Sequence, residues 1–216
     1  MTSTTAQVDL SPIPVRVRPA ARLPQLLIGL WLYGTSMALM VRAGLGLSPW
    51  DVLHDGLTNR LGWSFGAVTA LTSIIVLLLW VPLRQRPGIG TVANVVVVAG
   101  SVDVALAVLP QAHALVWQLA LLVGGVLLNG AATAVYVGAR LGPGPRDGLM
   151  TGLHARTGWS VRVARTVVEL VVLAAGWLLG GSVGVGTVVY ALLIGVLTQS
   201  LLPLVAVRRS GQSDHA

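Results

Sequence analysis

Between residues 23 and 207, long apolar stretches alternate with short polar segments rich in glycine and proline. The pattern predicts six spanning helices: Leu23–Val41, Phe65–Leu83, Thr91–Leu109, Leu115–Val137, Val163–Leu179 and Thr187–Val207. Stretches of roughly 18–24 residues match the length an α-helix needs to cross about 30 Å of hydrocarbon. A helix satisfies its backbone hydrogen bonds internally, as the bilayer requires. Strands are excluded by length and by the lack of period-two alternation. A shorter helix is predicted between the first and second spans. In Ser48-Pro49-Trp50-Asp51, Ser48 can cap, Pro49 suits the first helical position and Asp51 can close a capping box. Trp50, Leu53, Leu57 and Leu61 then recur at helical spacing until Gly62, a C-terminal stop. Gly144-Pro145-Arg146-Asp147 opens a second such helix between the fourth and fifth spans. Each covers about eleven residues, roughly 16 Å and half a bilayer. Both an interfacial amphipathic helix and a re-entrant element fit that length.

The two short helices belong to a longer self-match at a constant offset of 96 residues. Leu45-Gly46, Pro49 and Asp51 match Leu141-Gly142, Pro145 and Asp147. Gly56-Leu57 matches Gly152-Leu153, and Arg60, Gly62-Trp63-Ser64 match Arg156, Gly158-Trp159-Ser160. Gly88, Gly90-Thr91-Val92 match Gly184, Gly186-Thr187-Val188. Apolar runs match one another by chance, but Pro, Asp, Trp, Arg and several Gly in one register do not. The expected fold is all-α: six transmembrane helices as two three-helix repeats, 23–110 and 115–207, each with one short extra helix. Because three spans is an odd number, the second copy enters the membrane from the opposite side. Inverted halves of this kind are a common plan of secondary transporters.

Charge sets the expected orientation. All 14 basic residues are Arg, against seven acids, for a net charge of +7. With the N terminus inside, only Arg42 and Arg60 fall outside, a strong positive-inside bias that predicts an N-in, C-in protein of the bacterial cell membrane. Residues 1–22, polar and proline-punctuated, read as a disordered cytoplasmic tail, and 208–216 as a second tail. Only 10% of residues are charged, too few to cover a water-facing surface. Basic-aromatic patches are lacking, so nucleic acid is not an expected partner. With no Cys, disulfides and thiolate metal sites are excluded.

Gly29-Leu30-Trp31-Leu32-Tyr33-Gly34, Ala43-Gly44-Leu45-Gly46-Leu47-Ser48-Pro49-Trp50-Asp51-Val52-Leu53, Gly56-Leu57 and Arg86-Pro87-Gly88-Ile89-Gly90-Thr91 resemble the YczE/YyaS/YitT family of bacterial integral membrane proteins. The resemblance covers most of residues 23–207 and is most specific at the Ser-Pro-Trp-Asp stretch. It implies a multi-pass inner-membrane protein and carries no substrate with it. The second copy departs from the motif at Gly144 and Arg146, so a role for the Ser48 hydroxyl or Trp50 ring is not shared by both halves.

An ionisable residue deep in a span is costly unless it faces a cavity or a partner. Asp103 is therefore the first candidate for a substrate- or proton-binding acid, with Gln199 its counterpart at the same depth. Glu169, one turn beyond Arg165, either pairs with that Arg at i, i+4 or lines a pathway. Asn129 matches Tyr33 across the repeat, and both are candidates for ligand hydrogen bonds or interhelical contacts. Asp51, His54 and Asp55 share a helical face that suits a proton relay or, less well, a metal; no metal or cofactor is expected. Catalytic motifs are lacking and an enzyme is not expected. The expectation is a small secondary transporter of an unidentified small molecule or ion, with a central polar site between the halves. The alternative is a membrane scaffold or accessory protein, and self-association is left open.

Overall fold

The computed structural model describes residues 12–207, which form eight helices and no strand. These are α1 (Pro19–Ala43), α2 (Pro49–Leu61), α3 (Phe65–Leu83), α4 (Ile89–Val108), α5 (Leu115–Gly138), α6 (Pro145–Thr157), α7 (Val161–Leu178) and α8 (Val185–Val205). The starts of α5–α8 follow those of α1–α4 by 96 residues in every case.

The local chemistry accounts for these boundaries. Ser48, Ser64 and Ser160 cap α2, α3 and α7, their hydroxyls accepting the amides of Asp51, Ala67 and Val163. Thr91 and Thr187 reach back to the amides of Gly88 and Gly184 to open α4 and α8. Glycines Gly62 and Gly158, with φ of 69° and 74°, end α2 and α6.

Two loops lock the ends together. Gly186 N–H donates to Leu45 O at 2.8 Å, and Gly90 N–H donates to Leu141 O at 3.0 Å. Gly46 and Gly142, at φ of 110° and 127°, sit in these contacts, where a Cβ on Gly46 would meet the Gly184 backbone at 2.6 Å.

At the centre α1 and α5 run antiparallel. Arg22 lies beside Ala139, Ser36 beside Asn129, and Met40 beside Gly125. α4 runs parallel to α1, with Val98 and Ser101 against Gly34 and Leu106 receiving Arg42. α8 runs parallel to α5, with Tyr190 bonded to Asn129 and Leu197 against Gly130. The short helices cross over: α2 packs on α7 and α6 on α3. A Cβ on Gly148 of α6 would lie 2.0 Å from Cζ2 of Trp80 on α3, so this crossing needs glycine.

One pair of contacts lacks its counterpart. α3 packs closely against α4, whereas α7 barely touches α8. At the upper end of α7, Leu173 packs with the cluster that holds Tyr190 and Ile194. Below it, Glu169, Arg165 and Arg162 follow one another along α7 toward the end of the bundle where α1 begins, and the crevice is the gap where α7 and α8 scarcely touch.

Many large apolar side chains point outward, among them Leu78, Val108, Trp117, Leu178, Leu192 and Leu204, each more than half exposed. So broad an exposed apolar surface requires an apolar solvent, and the chain is a membrane protein. Five helices, α1, α3, α4, α5 and α8, are long and apolar enough to cross a membrane. The sixth expected span, α7, has the length, but Arg162, Arg165 and Glu169 break its apolar character.

Two further expectations are corrected. The first tail is ordered from Pro12 onward, and α1 starts at Pro19 rather than Leu23. Arg22 causes this. It is fully buried, and its guanidinium donates to the carbonyls of Ile13, Pro14, Val17, Ala139 and Arg140 at 2.8–3.0 Å. The remainder of that tail, and the tail at 208–216, lie outside the described residues. Each short helix has 13 residues rather than eleven, about 20 Å. α2 buries Pro49, Trp50, Asp51, Val52 and His54 but exposes Asn59, Arg60 and Leu61, so it enters the bundle N-terminus first.

Candidate functional site

The first turns of α2 and α6 converge between α1, α5, α7 and α8. Asp51, 2% exposed, is placed by the cap it helps to form: Ser48 Oγ donates to its Oδ2 at 2.6 Å. Its Oδ1 faces His54 Nδ1 at 3.2 Å. His54 is 1% exposed, and its Nε2 lies 2.8 Å from Thr72 Oγ1 on α3. The Phe65 ring stands edge-on to the imidazole, centroids 5.8 Å apart. Asp51 therefore meets Ser48 on one side and a buried imidazole on the other.

Arg146 joins the two short helices. Its Nη2 is 3.7 Å from Asp51 Oδ1, its Nη1 donates to Tyr33 Oη at 3.2 Å, and its guanidinium carbon lies 5.0 Å from the Trp50 ring centroid. A guanidinium offers five N–H donors, so these contacts leave capacity for a ligand. The arginine side chain retains 22% exposure. Trp50 is 6% exposed and its indole N–H has no hydrogen-bond partner among the described residues. Leaving a buried donor unpaired costs about 1–3 kcal/mol, which marks a place where ligand or rearrangement can contribute.

A ring of hydroxyl and amide groups surrounds this centre. Tyr136 donates to Asp147 Oδ2 at 3.3 Å, Tyr190 donates to Asn129 Oδ1 at 3.0 Å, and Asn129 Nδ2 donates to Ser36 Oγ at 2.7 Å. Tyr33 and Tyr136 meet edge to face, with centroids 5.8 Å apart. Asp147 is exposed and lies within electrostatic range of Arg165. Arg165 pairs with Glu169 at 2.9 Å, their side chains 49% and 29% exposed. Charged groups thus run from the end of the bundle where α1 begins up to the buried centre.

Of the residues singled out from sequence, Tyr33, Asn129, Trp50, Asp51, Arg146 and Asp147 come together here. Ser48 and Pro49 support them by starting α2, and Pro145 by starting α6; Pro145 O also accepts from Trp80 Nε1 at 3.0 Å. Glu169 stands at the edge of the site in its i, i+4 pair. Asp103 and Gln199 do not join. Asp103 sits at the start of α3, where it accepts from Ser64 Oγ at 2.6 Å and from Gly66 N–H at 2.7 Å. Gln199 is exposed on α8. Asp55 turns away from Asp51 and His54 to accept from Ser182 N–H at 2.8 Å, which separates the three residues considered as a relay or metal set. Sequence reasoning missed Tyr136, Tyr190 and Thr72.

Comparison with known proteins places the chain. It is 39% identical over 181 residues to an uncharacterized protein of Haemophilus influenzae, covering 84% of this chain and 83% of that one. It is 35% identical to the uncharacterized membrane protein YczE of Bacillus subtilis, covering 79% and 80% of the two chains. The uncharacterized protein YyaS of the same organism is 26% identical, with 82% and 90% covered. These relatives bear out the YczE and YyaS parts of the resemblance. No solved structure matches the chain. A family model described as a family of unknown function, DUF6198, matches residues 20–203, nearly the whole bundle from α1 to the last turn of α8, and the chain belongs to that family.

Proposed function

We propose that this protein is a small secondary transporter of the bacterial inner membrane, built from two inverted repeats and oriented with both termini in the cytoplasm. Residues 23–110 and 115–207 are the two copies, and α7 is the sixth span, its charged face turned to the crevice instead of to lipid. Antiparallel α1 and α5, the common 96-residue spacing of helix starts and the paired Leu45–Gly186 and Leu141–Gly90 hydrogen bonds support the duplication. The helix directions place Arg42 and Arg60 at the end opposite most other arginines, as the positive-inside rule asks of an N-in protein.

The observation that carries the transport function is the unequal closure of equivalent helix pairs around a polar centre. Asp103 clamps the start of α3 to α4 at one end. At the other end the equivalent residues, Ser160 and Arg162 at the start of α7 and Gln199 on α8, make no such clamp, and the crevice stays open. Two halves of one design in different states are what alternating access produces, one gate shut while the other is open. The open gate here is the cytoplasmic one. In the opposite state Gln199 closes on Ser160 and Arg162 while Asp103 releases Ser64 and Gly66.

Substituted-cysteine labelling tests this without knowledge of the substrate, because the chain has no native Cys. Tyr33→Cys in right-side-out and in inverted vesicles should react with a membrane-impermeant maleimide from both sides. Reaction from one side only would reduce the protein to a scaffold with a polar interior.

A further inference from the structure

We propose that the central site binds an oxyanion, a carboxylate or phosphate group, at Arg146 and takes up a proton on the Asp51–His54 pair as it does so. This deepens the transport function proposed above and rests on the same site; it names the class of substrate and the coupling ion.

Charge balance leads to the coupling. In the structure the Arg146 guanidinium is shared between Tyr33 and Asp51, at 3.2 and 3.7 Å. The 3.7 Å ion pair is long, and the arginine side chain keeps 22% exposure. An incoming oxyanion has the geometry to take a guanidinium in bidentate fashion, which a carboxylate at 3.7 Å through one oxygen does not. Once Arg146 turns to that ligand, Asp51 is a buried carboxylate without its counter-ion, an unfavourable state. The remedy lies beside it. A proton on His54 restores an ion pair with Asp51, and for a singly charged oxyanion, a carboxylate or a monobasic phosphate, the net charge of the pocket is the same before and after: one anion and one proton enter together.

The surroundings of His54 serve both of its protonation states. With Nδ1–H directed at Asp51 Oδ1, neutral His54 accepts at Nε2 from the Thr72 hydroxyl, 2.8 Å away. When Nε2 gains a proton it donates to Thr72 Oγ1 instead. The Thr72 hydroxyl then turns to the carbonyl of Val68 or of Thr69, each 3.0 Å away. Thr69 Oγ1, 3.4 Å from Nδ1, is held by Phe65 O and does not compete. The hydroxyl of Thr72 is thus a two-position switch that leaves no donor or acceptor orphaned in either state.

The other ionisable groups near the pair are few. α1 contributes Tyr33, α5 Tyr136, α6 Arg146 and Asp147, α7 Arg165 and Glu169, and α8 Tyr190; α3 presents only Phe65, Thr69 and Thr72. On α2 itself Asp55 is turned outward to Ser182. Among them Asp51 is the buried carboxylate that meets both Arg146, at 3.7 Å, and a buried imidazole, His54, at 3.2 Å. The ligand side of the site adds the unpartnered Trp50 indole N–H and the Tyr33 and Tyr136 rings, which favour an organic anion with an apolar or aromatic body.

Sodium benzoate and inorganic phosphate, added to the full-length protein in detergent, are the probes. Thermal unfolding reports binding, and a pH-indicator dye in weak buffer reports protons. At least one probe should raise the unfolding temperature saturably, with about one proton taken up per anion near neutral pH. Stabilisation by benzoate alone assigns a carboxylate group, and by phosphate alone a phosphate group. Arg146→Gln should weaken binding at least tenfold. Arg146→Lys, which keeps the charge needed beside Asp51, should fold and still bind several-fold more weakly. Asp51→Asn should bind the anion with no proton uptake, and His54→Gln should lose the uptake and bind more weakly. Binding without proton uptake in the unmodified protein, uptake retained in His54→Gln, or no stabilisation by either probe would overturn the proposal. Two-sided labelling of Tyr33→Cys without anion-linked uptake removes this proposal alone. Uptake without two-sided labelling removes transport and leaves the binding site standing.

Discussion

Arg22 and Arg146 are both arginines beside the α1–α5 seam, and their surroundings give them opposite roles. Arg22 has five carbonyl partners and no exposed surface, so its charge is spent on structure. Arg22→Gln should destabilise the protein by about 2–4 kcal/mol, because several buried carbonyls lose a charged donor at once. Thermal unfolding in detergent measures it, and anion binding at Arg146 should be unchanged in the fraction that folds. Arg146 has fewer partners and keeps 22% exposure, so its loss should appear in ligand binding. Arg146→Gln should also lower the melting temperature, because Asp51 loses its counter-ion, whereas Arg146→Lys should weaken binding with little change in melting. Local sequence separates them only in part: Arg146 stands in the Pro-Arg-Asp start of α6, but the carbonyls that surround Arg22 include those of Ala139 and Arg140, more than 100 residues away.

At the scale of elements, α2 and α6 share a length and a starting motif but differ in how they are capped. Ser48 holds both the Asp51 amide and the Asp51 carboxylate, while Gly144 offers no side chain to α6. Ser48→Ala should cost about 1 kcal/mol in stability, the usual value of a cap. It should also loosen Asp51, seen as stronger binding of the anion probes once Asp51 competes less well for Arg146. The crossing of α6 over α3 depends on shape. Gly148→Ala forces a methyl into the Trp80 ring and should cost about 1–3 kcal/mol. Adding Trp80→Leu should recover part of that loss, a coupling that a double-mutant cycle by thermal unfolding would resolve. The starts and glycine stops of both short helices were legible because each is a local signal, while their length came out two residues longer than the spacing suggested. Their direction into the bundle was not legible, because it depends on which neighbours cover each turn.

For the molecule as a whole, the open α7–α8 crevice and the closed α3–α4 contact make a prediction about motion. In the transport cycle proposed above, Ser160→Cys and Gln199→Cys lie apart in this state and approach in the other. Oxidative cross-linking of the double variant in membranes should therefore accumulate over time and trap the protein with Tyr33→Cys unreactive from the cytoplasmic side. Cross-linking that never forms, while the single variants remain folded, would leave one static state. Asp103→Ala should shift the balance in the same direction by freeing the start of α3. Asp103 was the leading candidate for a substrate acid because a lone carboxylate in an apolar run signals expense. Its partners Ser64 and Gly66, 39 and 37 residues away in sequence, are invisible from that run.

Hydrophobic run length, glycine and proline punctuation and the 96-residue self-match were enough to derive a helical membrane protein, every helix start but that of α1 to within two residues, and the presence of two short helices. These follow from constraints that act along the chain: hydrogen bonds closed within a segment, caps set within four residues, and a solvent that accepts only apolar faces. Tyr33, Asn129 and Arg146 were noticed for their polarity, yet their meeting with His54, Tyr136 and Tyr190 required helices far apart in sequence to cross. The same holds for the ordering of residues 12–22, for the charged face of α7 and for the retirement of Asp103 to a capping role. Each depends on which distant group comes within 3 or 4 Å, and a linear pattern does not encode that distance.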